Sequence, residues 1–274
     1  MFTNCSVLTA VKQCQILRKR WVIIRSGNSL LFLFLFSLLL VKCGLDIENS
    51  TPPSPPVWVQ KSLPEEWPER GIDAHESGGI YLEWESNREE NVVAYQLFRA
   101  TWYETNDSIG DYNFISRIGE QSQLVLSYFD DQVAIRSRYY YKLKAEASIE
   151  NFSTFSDSIY YSLLPQLTPH NMTPRGSTDT LNDQRMLSWV YSTNIEMENY
   201  CLTILTIDSE LITRIILSPT NYVTDRESWQ IPDSLVLTSE QIYKWRIDTG
   251  ANYIAGIESS GSESLWANFL YIGD

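Results

Sequence analysis

His75 and His170 are the only two imidazoles in the 274-residue chain, and each stands alone in loop-like sequence. A metal site or an acid–base pair needs partners at ligating or hydrogen-bonding range, and the local spacing supplies none. Both are expected to be solvated loop side chains. With 34 Asp and Glu residues, adjacent carboxylates arise by number alone, and Glu65-Glu66 and Glu89-Glu90 read as solvated turns. Glycoside hydrolysis needs two carboxylates flanking a cleft, which such turns do not provide. The sequence has no Gly-x-Ser-x-Gly elbow, His-Glu-x-x-His helix, phosphate-cradling glycine loop or Asp-x-Asp-x-Asp-Gly calcium loop. The expectation is a protein that is not an enzyme, with no catalytic residue, no metal site and no cofactor.

Covalent chemistry is better defined at Cys43. A basic stretch (Lys12, Arg18, Lys19, Arg20, Arg25) precedes the uncharged run Ser29 to Val41, and no acidic residue occurs before Asp46. As a helix the run is roughly 20 Å long, short of the bilayer core of about 30 Å, so it has the form of a secretory signal. Leu40-Val41-Lys42-Cys43-Gly44 resembles the lipobox of bacterial lipoproteins, with Lys42 where that family carries a small residue. The resemblance implies that Cys43 is the lipid attachment site and that residues 1–43 are a signal peptide. Cys5 and Cys14 would be lost with the leader. Cys201 lies in an apolar-alternating segment, where a free thiol behaves as a small hydrophobe. No disulfide framework is then available, and the body must be held by its cores.

Removing the leader leaves 15 basic and 34 acidic residues, a net charge of −19. So acidic a body repels phosphate backbones, which disfavours nucleic acid as a partner. Its general effect is solubility.

The body reads as all-β. Residues 44–56 are a Pro-rich linker, either a stalk or a domain-entry segment. Short apolar runs with period two then recur between turn signals. In residues 57–164 they are Val57 to Val59, Ile80 to Glu85, Val92 to Arg99, Tyr112 to Ile118, Leu124 to Phe129, Tyr139 to Ala147 and Ser156 to Leu163. In residues 165–274 they are Gln184 to Tyr191, Tyr200 to Ile207, Leu211 to Leu217, Asn221 to Thr224, Trp229 to Leu237, Ile242 to Asp248 and Leu265 to Ile272. Seven short strands per half fit two Greek-key sandwiches. The short border near Leu164-Pro165 predicts a restricted angle between them.

An ordered set of residues occurs once in each half. Trp84 and Trp189 stand near the ends of Ile80 to Glu85 and Gln184 to Tyr191, and Tyr95 and Tyr200 lie in the strands that follow. Tyr139, Tyr141, Leu143 and Ala145 answer to Tyr243, Trp245, Ile247 and Thr249 in the sixth. Val133 and Leu237 each precede the first of those tyrosines by six residues. This pattern resembles tandem fibronectin type III domains, which are immunoglobulin-like β-sandwiches. In that family the tyrosine packs under the preceding connection and its hydroxyl bonds back to the backbone. Asn151 to Ser156 and Glu258 to Ser264 resemble the small polar segment before the family's last strand.

The resemblance implies adhesion, spacing and recognition. The expected function is a non-catalytic extracytoplasmic binding or spacing module. It would be a cell-envelope lipoprotein, lipid-anchored to the membrane or secreted, whose partner is a protein or a glycan. The alternative is a carbohydrate-binding accessory protein of an extracellular enzyme system. Trp102-Tyr103 is the candidate binding pair, because such rings bury large area at low entropic cost. The plainer alternative is that both rings pack on the sheet edge. Trp58 and Trp67 are expected to frame the first strand. Asn49, Asn106, Asn151 and Asn171 begin glycosylation sequons, which matter only in a eukaryotic host.

Overall fold

The computed structural model describes residues 51–63, 68–120, 123–148, 151–181, 184–192, 197–220, 226–251, 253–254 and 257–273. The signal segment, Cys43, Asn49, Glu65-Glu66, Trp67 and the strand expected at Asn221 to Thr224 lie outside the described residues. Everything below belongs to one compact unit, Ser50–Asp274.

The first half contains β1 (Ile72–Ala74), β2 (Ile80–Glu83), β3 (Ala94–Tyr103), β4 (Ser108–Ile109) and β5 (Asn113–Ile118). It continues with β6 (Ser127–Asp130), β7 (Arg138–Ser148), β8 (Asn151–Phe152) and β9 (Ile159–Leu163). The second half contains β10 (Met172–Thr173), β11 (Met186–Val190), β12 (Asn199–Thr206), β13 (Leu211–Leu217) and β14 (Arg226–Gln230). Then come β15 (Gln241–Gly250), β16 (Tyr253–Ile254), β17 (Ile257–Glu258), β18 (Ser260–Glu263) and β19 (Ala267–Tyr271). The described helical structure is a 3₁₀ turn at Pro169–Asn171.

Each half is a sandwich of the fibronectin type III-like kind. In the first, the antiparallel sheet β1-β2-β6 faces the sheet β5-β3-β7-β9. In the second, β10-β11-β14 faces β13-β12-β15-β19. Alternation explains the burial: Ile80 and Leu82 point into the first core while Tyr81 and Glu83 do not. Tyr95, Leu97, Tyr141, Leu143 and Tyr161 close that core from the opposite sheet. Leu187, Trp189, Leu202, Ile204, Trp245, Ile247 and Phe269 make the equivalent core of the second.

The repeated residues occupy repeated places. Trp84 meets Tyr95 edge-on with ring centroids 5.4 Å apart, and Trp189 meets Tyr200 edge-on at 5.5 Å. The Tyr139 hydroxyl accepts the Ala134 N–H at 2.9 Å, and the Tyr243 hydroxyl accepts the Thr238 N–H at 2.8 Å. The bonded amides directly follow Val133 and Leu237. Serines fill the same gap beside the sixth strand. Leu143 N–H donates to Ser156 Oγ at 3.0 Å, and Ile247 N–H donates to Ser264 Oγ at 3.0 Å.

Several expected boundaries are corrected. Val57 to Val59 forms only a bridge, Trp58 to Trp84, with bonds to Glu83 and Glu85. The strand beside β2 is instead β1, which follows Gly71 at φ 61°; an added Cβ there would run into the Glu83 carbonyl. The strand expected from Trp229 to Leu237 is β14, which ends at Gln230, just ahead of Pro232. Nor are the halves separate beads. β18 of the second sandwich pairs in parallel with β9 of the first, making one continuous 11-stranded sheet.

Candidate functional site

The face of the β5-β3-β7-β9 sheet that points away from the core is built from alternate residues of each strand. On β7 these are Arg138, Tyr140, Lys142, Lys144 and Glu146, while Tyr139, Tyr141, Leu143 and Ala145 fill the core. On β3 they are Gln96, Phe98, Ala100 and Trp102, and β9 contributes Tyr160. Neighbouring rings meet at a tilt across the strands: Trp102 lies 6.1 Å from Tyr140 at 33°, and Tyr140 lies 5.2 Å from Tyr160 at 34°. The Arg138 guanidinium sits 5.4 Å from both the Trp102 and Tyr160 ring centroids. Such contacts are worth about 0.5–1 kcal/mol each at exposed sites.

A second cluster lies further along the same face. Phe98 packs edge-on against Phe114 at 5.7 Å and against Phe155 at 5.1 Å. Lys142 Nζ stands 4.4 Å from the Tyr112 centroid, and Lys144 Nζ stands 4.3 Å from that of Phe155. Phe155 is brought there by the segment Phe152-Ser153-Thr154-Phe155-Ser156. Ser153 Oγ accepts Ala145 N–H and Ser156 Oγ accepts Leu143 N–H. Three residues of this segment thus span two of β7, which leaves Phe155 over the outer face. Phe114 is 55% exposed and Phe155 40% exposed. Glu146, the outward carboxylate of β7, is held by Arg117 through two bonds of 2.9 Å.

A third arrangement ties the sandwiches together. Ser162 N–H donates to Ser259 O and Leu164 N–H to Gly261 O, at 3.1 and 2.8 Å. The Trp266 indole donates to Glu76 Oε2 at 2.7 Å, while Gln166 Nε2 donates to the Glu76 and Glu263 carbonyls. Arg246 pairs with Glu263 at 2.5 Å and Asp248 at 3.1 Å, and its guanidinium lies 5.0 Å from the Trp266 centroid. The Tyr191 hydroxyl donates to Pro165 O at 2.6 Å.

The candidate pair expected from sequence is split by the strand pleat. Trp102 is half-buried in the ring stack, whereas Tyr103 is exposed. Trp84, Tyr95, Tyr139, Tyr141, Trp189, Tyr200, Tyr243 and Trp245 are core side chains. Trp58 packs edge-on against Trp84, and its indole donates to Asp157 O at 2.8 Å. His170 is exposed beside Arg175, but His75 is half-buried, 4.8 Å from the Phe129 ring, and its Nδ1 accepts the Ser77 N–H. Among the described residues no group of three or more His, Cys, Asp or Glu is placed to hold a metal. Burial pushes the Cys201 thiol well above its usual range.

Sequence reasoning did not reach Arg138, Tyr140, Lys142, Lys144, Tyr160 and the three phenylalanines as one surface. The signal was in Arg138 to Lys144, whose even-numbered members are all cationic or aromatic. No helix among the described residues is long and apolar enough to cross a membrane.

No known family model matches the chain, and no curated protein matches it. Among solved structures it is similar to the FN1-FN3 domains of chicken CNTN1, at 14% identity and a TM-score of 0.28, covering 81% of this chain and 68% of that one. It is also similar to a two-domain fibronectin type III segment of chicken tenascin, at 13% identity and a TM-score of 0.29, covering 79% and 97%. Scores this low carry no argument of their own; strand order and the two cores establish the fold.

Proposed function

We propose that this chain is a non-catalytic, extracytoplasmic binding and spacing module, a bacterial cell-envelope lipoprotein carried on a lipid at Cys43. The observation that carries the reading is the contrast between two matching cores and two differing outer surfaces. The residues common to both halves have packing partners, while the outward faces differ: the first sandwich sets Arg138, Lys142 and Lys144 among several rings, and the second sets Lys244 and Arg246 on Trp266 beside Asp248 and Glu263. Support for spacing comes from the β9–β18 pairing, which holds the two sandwiches at a fixed angle. The signal-like run and the lipobox-like Leu40 to Gly44 support export and anchoring.

The intact mass of the mature protein from its native membrane tests this directly. Cleavage before Cys43 with an added acyl mass is the expected result. A Cys43→Ser protein that stays in the membrane after signal processing, or a soluble product beginning beyond Cys43, would sink the anchor.

The carbohydrate-binding alternative has the Trp102-Tyr140-Tyr160 stack in its favour. Sugar stacking needs a bare ring face, however, and Arg138 lies over both Trp102 and Tyr160. Saturable binding on a glycan array that disappears in Trp102→Ala would favour that alternative over a protein partner.

A further inference from the structure

From the outer face of the β5-β3-β7-β9 sheet we infer that the first sandwich docks an acidic, extended polypeptide carrying apolar side chains. The inference deepens the binding role proposed above and rests on it. Charge complementarity is the first argument. The mature body carries a net charge of −19, yet Arg138, Lys142 and Lys144 project from one strand face and pair with no described carboxylate. The one outward carboxylate of that strand, Glu146, is already engaged by Arg117. An acidic protein that keeps three unpaired cations on one face presents a local field of the opposite sign to its own. Such a field steers anionic partners to it.

Preorganisation is the second. Lysine and arginine side chains lose rotamer entropy when a partner immobilises them. Here Arg138, Lys142 and Lys144 already rest on Trp102, Tyr112, Tyr160 and Phe155, so part of that cost falls on folding. All three residues remain partly exposed.

Spacing and chemistry favour a polypeptide over a glycan. Outward residues two apart on β7 repeat at roughly 6.6–7 Å, the repeat of side chains on one face of an extended chain. Carboxylates on alternate residues of such a chain fall in register with Lys142 and Lys144. Exposed Phe114 and Phe155 give its apolar side chains a place to anchor, and aromatic rings with Arg are enriched at protein interfaces.

The test uses the full chain and a labelled synthetic peptide of alternating Glu and Leu, followed by anisotropy at low and high salt. Saturable binding that weakens as salt rises is expected. The Lys142→Glu/Lys144→Glu double variant should weaken it about tenfold or more, while Arg70→Glu, a charge reversal outside this face, should have little effect. Lys142→Met/Lys144→Met keeps the aliphatic stems on the rings and should also weaken binding, so a folding defect in the first variant does not blur the result. No saturable binding, equal losses in Arg70→Glu, or binding of polygalacturonate in place of the peptide would each overturn the inference. Export and lipid attachment are read by the intact mass, so a failed titration removes this docking face and leaves them standing.

Discussion

The two sandwiches place the same residues inward and different residues outward. In the core the main divergence is at one position of the sixth strand, Tyr141 in the first half and Trp245 in the second. Tyr141 donates to Asp130 at 2.8 Å, and Asp130 is also held by Arg99 at 2.7 and 2.9 Å. Trp245 fills the same place with a larger ring and donates to the Pro174 carbonyl at 2.9 Å. Either solution satisfies a buried polar hydrogen, so the core tolerates the exchange. Outside, the second sandwich has Cys201 and Thr203 on β12 and the Arg246, Asp248 and Glu263 cluster near the joint. There Lys244 and Arg246 also lie over a ring, Trp266, but Arg246 is paired with carboxylates, whereas Arg138, Lys142 and Lys144 of the first pair with no described carboxylate. Conservation of the inner pattern reports the fold, and the divergence of the outer faces reports what each half contacts.

Removing a core tryptophan breaks the comparison most forcefully. Trp84→Ala and Trp189→Ala should each cost about 3–5 kcal/mol, measured by chemical denaturation. Neither indole N–H has a hydrogen-bond partner in the structure, so the loss is one of packing. Because β9 and β18 are paired, either variant should broaden or lower the transition of its neighbour too.

Arg99→Met tests the Asp130 cluster of the first half. Asp130 is 2% exposed and would lose one strong donor, a loss of about 3–5 kcal/mol. Burial, reinforced by Asp130, also pushes the Tyr141 phenol above its usual range. Its folded value therefore lies above the unfolded one, so this contribution is present below about pH 10 and fades as pH rises beyond it. Urea titrations on the two sides of that pH should show a drop in the parent protein and a smaller one in Tyr141→Phe.

Tyr139→Phe and Tyr243→Phe probe the part both halves share. Each leaves a backbone amide, that of Ala134 or Thr238, without its acceptor. About 1–3 kcal/mol is expected, and similar values in the two halves would sharpen the equivalence. Unequal values would break it.

The smallest effect concerns the entry to the first sandwich. The Ser54 hydroxyl and amide donate to Glu89 at 2.5 and 2.9 Å and hold its carboxyl down at about 2. A depressed folded value means the tie is intact above the ordinary Glu range near about 4.3 and is lost as pH falls toward 2. Protection of the Ser54 amide relative to its intrinsic exchange rate should fall across that window, and this pH dependence should vanish in Glu89→Gln.

The sequence carried the inward half of this structure well, because period two at Ile80 to Trp84 or Tyr139 to Ala145 leaves little choice of face. Tyr139 and Tyr243 were legible with their partners, since the corner is local in sequence. β1 was not, being three residues between turns. β18 was not either: Ser260-Gly261-Ser262-Glu263 has little strand propensity, and its pairing partner comes from the other sandwich. The outer face escaped for a different reason. Arg138, Lys142 and Lys144 look like ordinary solvated charges until Trp102, Tyr160 and Phe155 are seen beside them, and those rings come from two strands and a connecting segment.

The parallel pairing of β9 with β18 has a mechanical consequence. In a chain of beads, a pull along the axis bends or stretches the linkers first. Here Ser162 to Ser259 and Leu164 to Gly261 are backbone bonds, so the two sandwiches cannot swing apart without breaking them. Tension applied between the ends is shared between those bonds and the connector at Leu164 to Pro169. The second sandwich cannot unravel without stripping the last strand of the first of its neighbour.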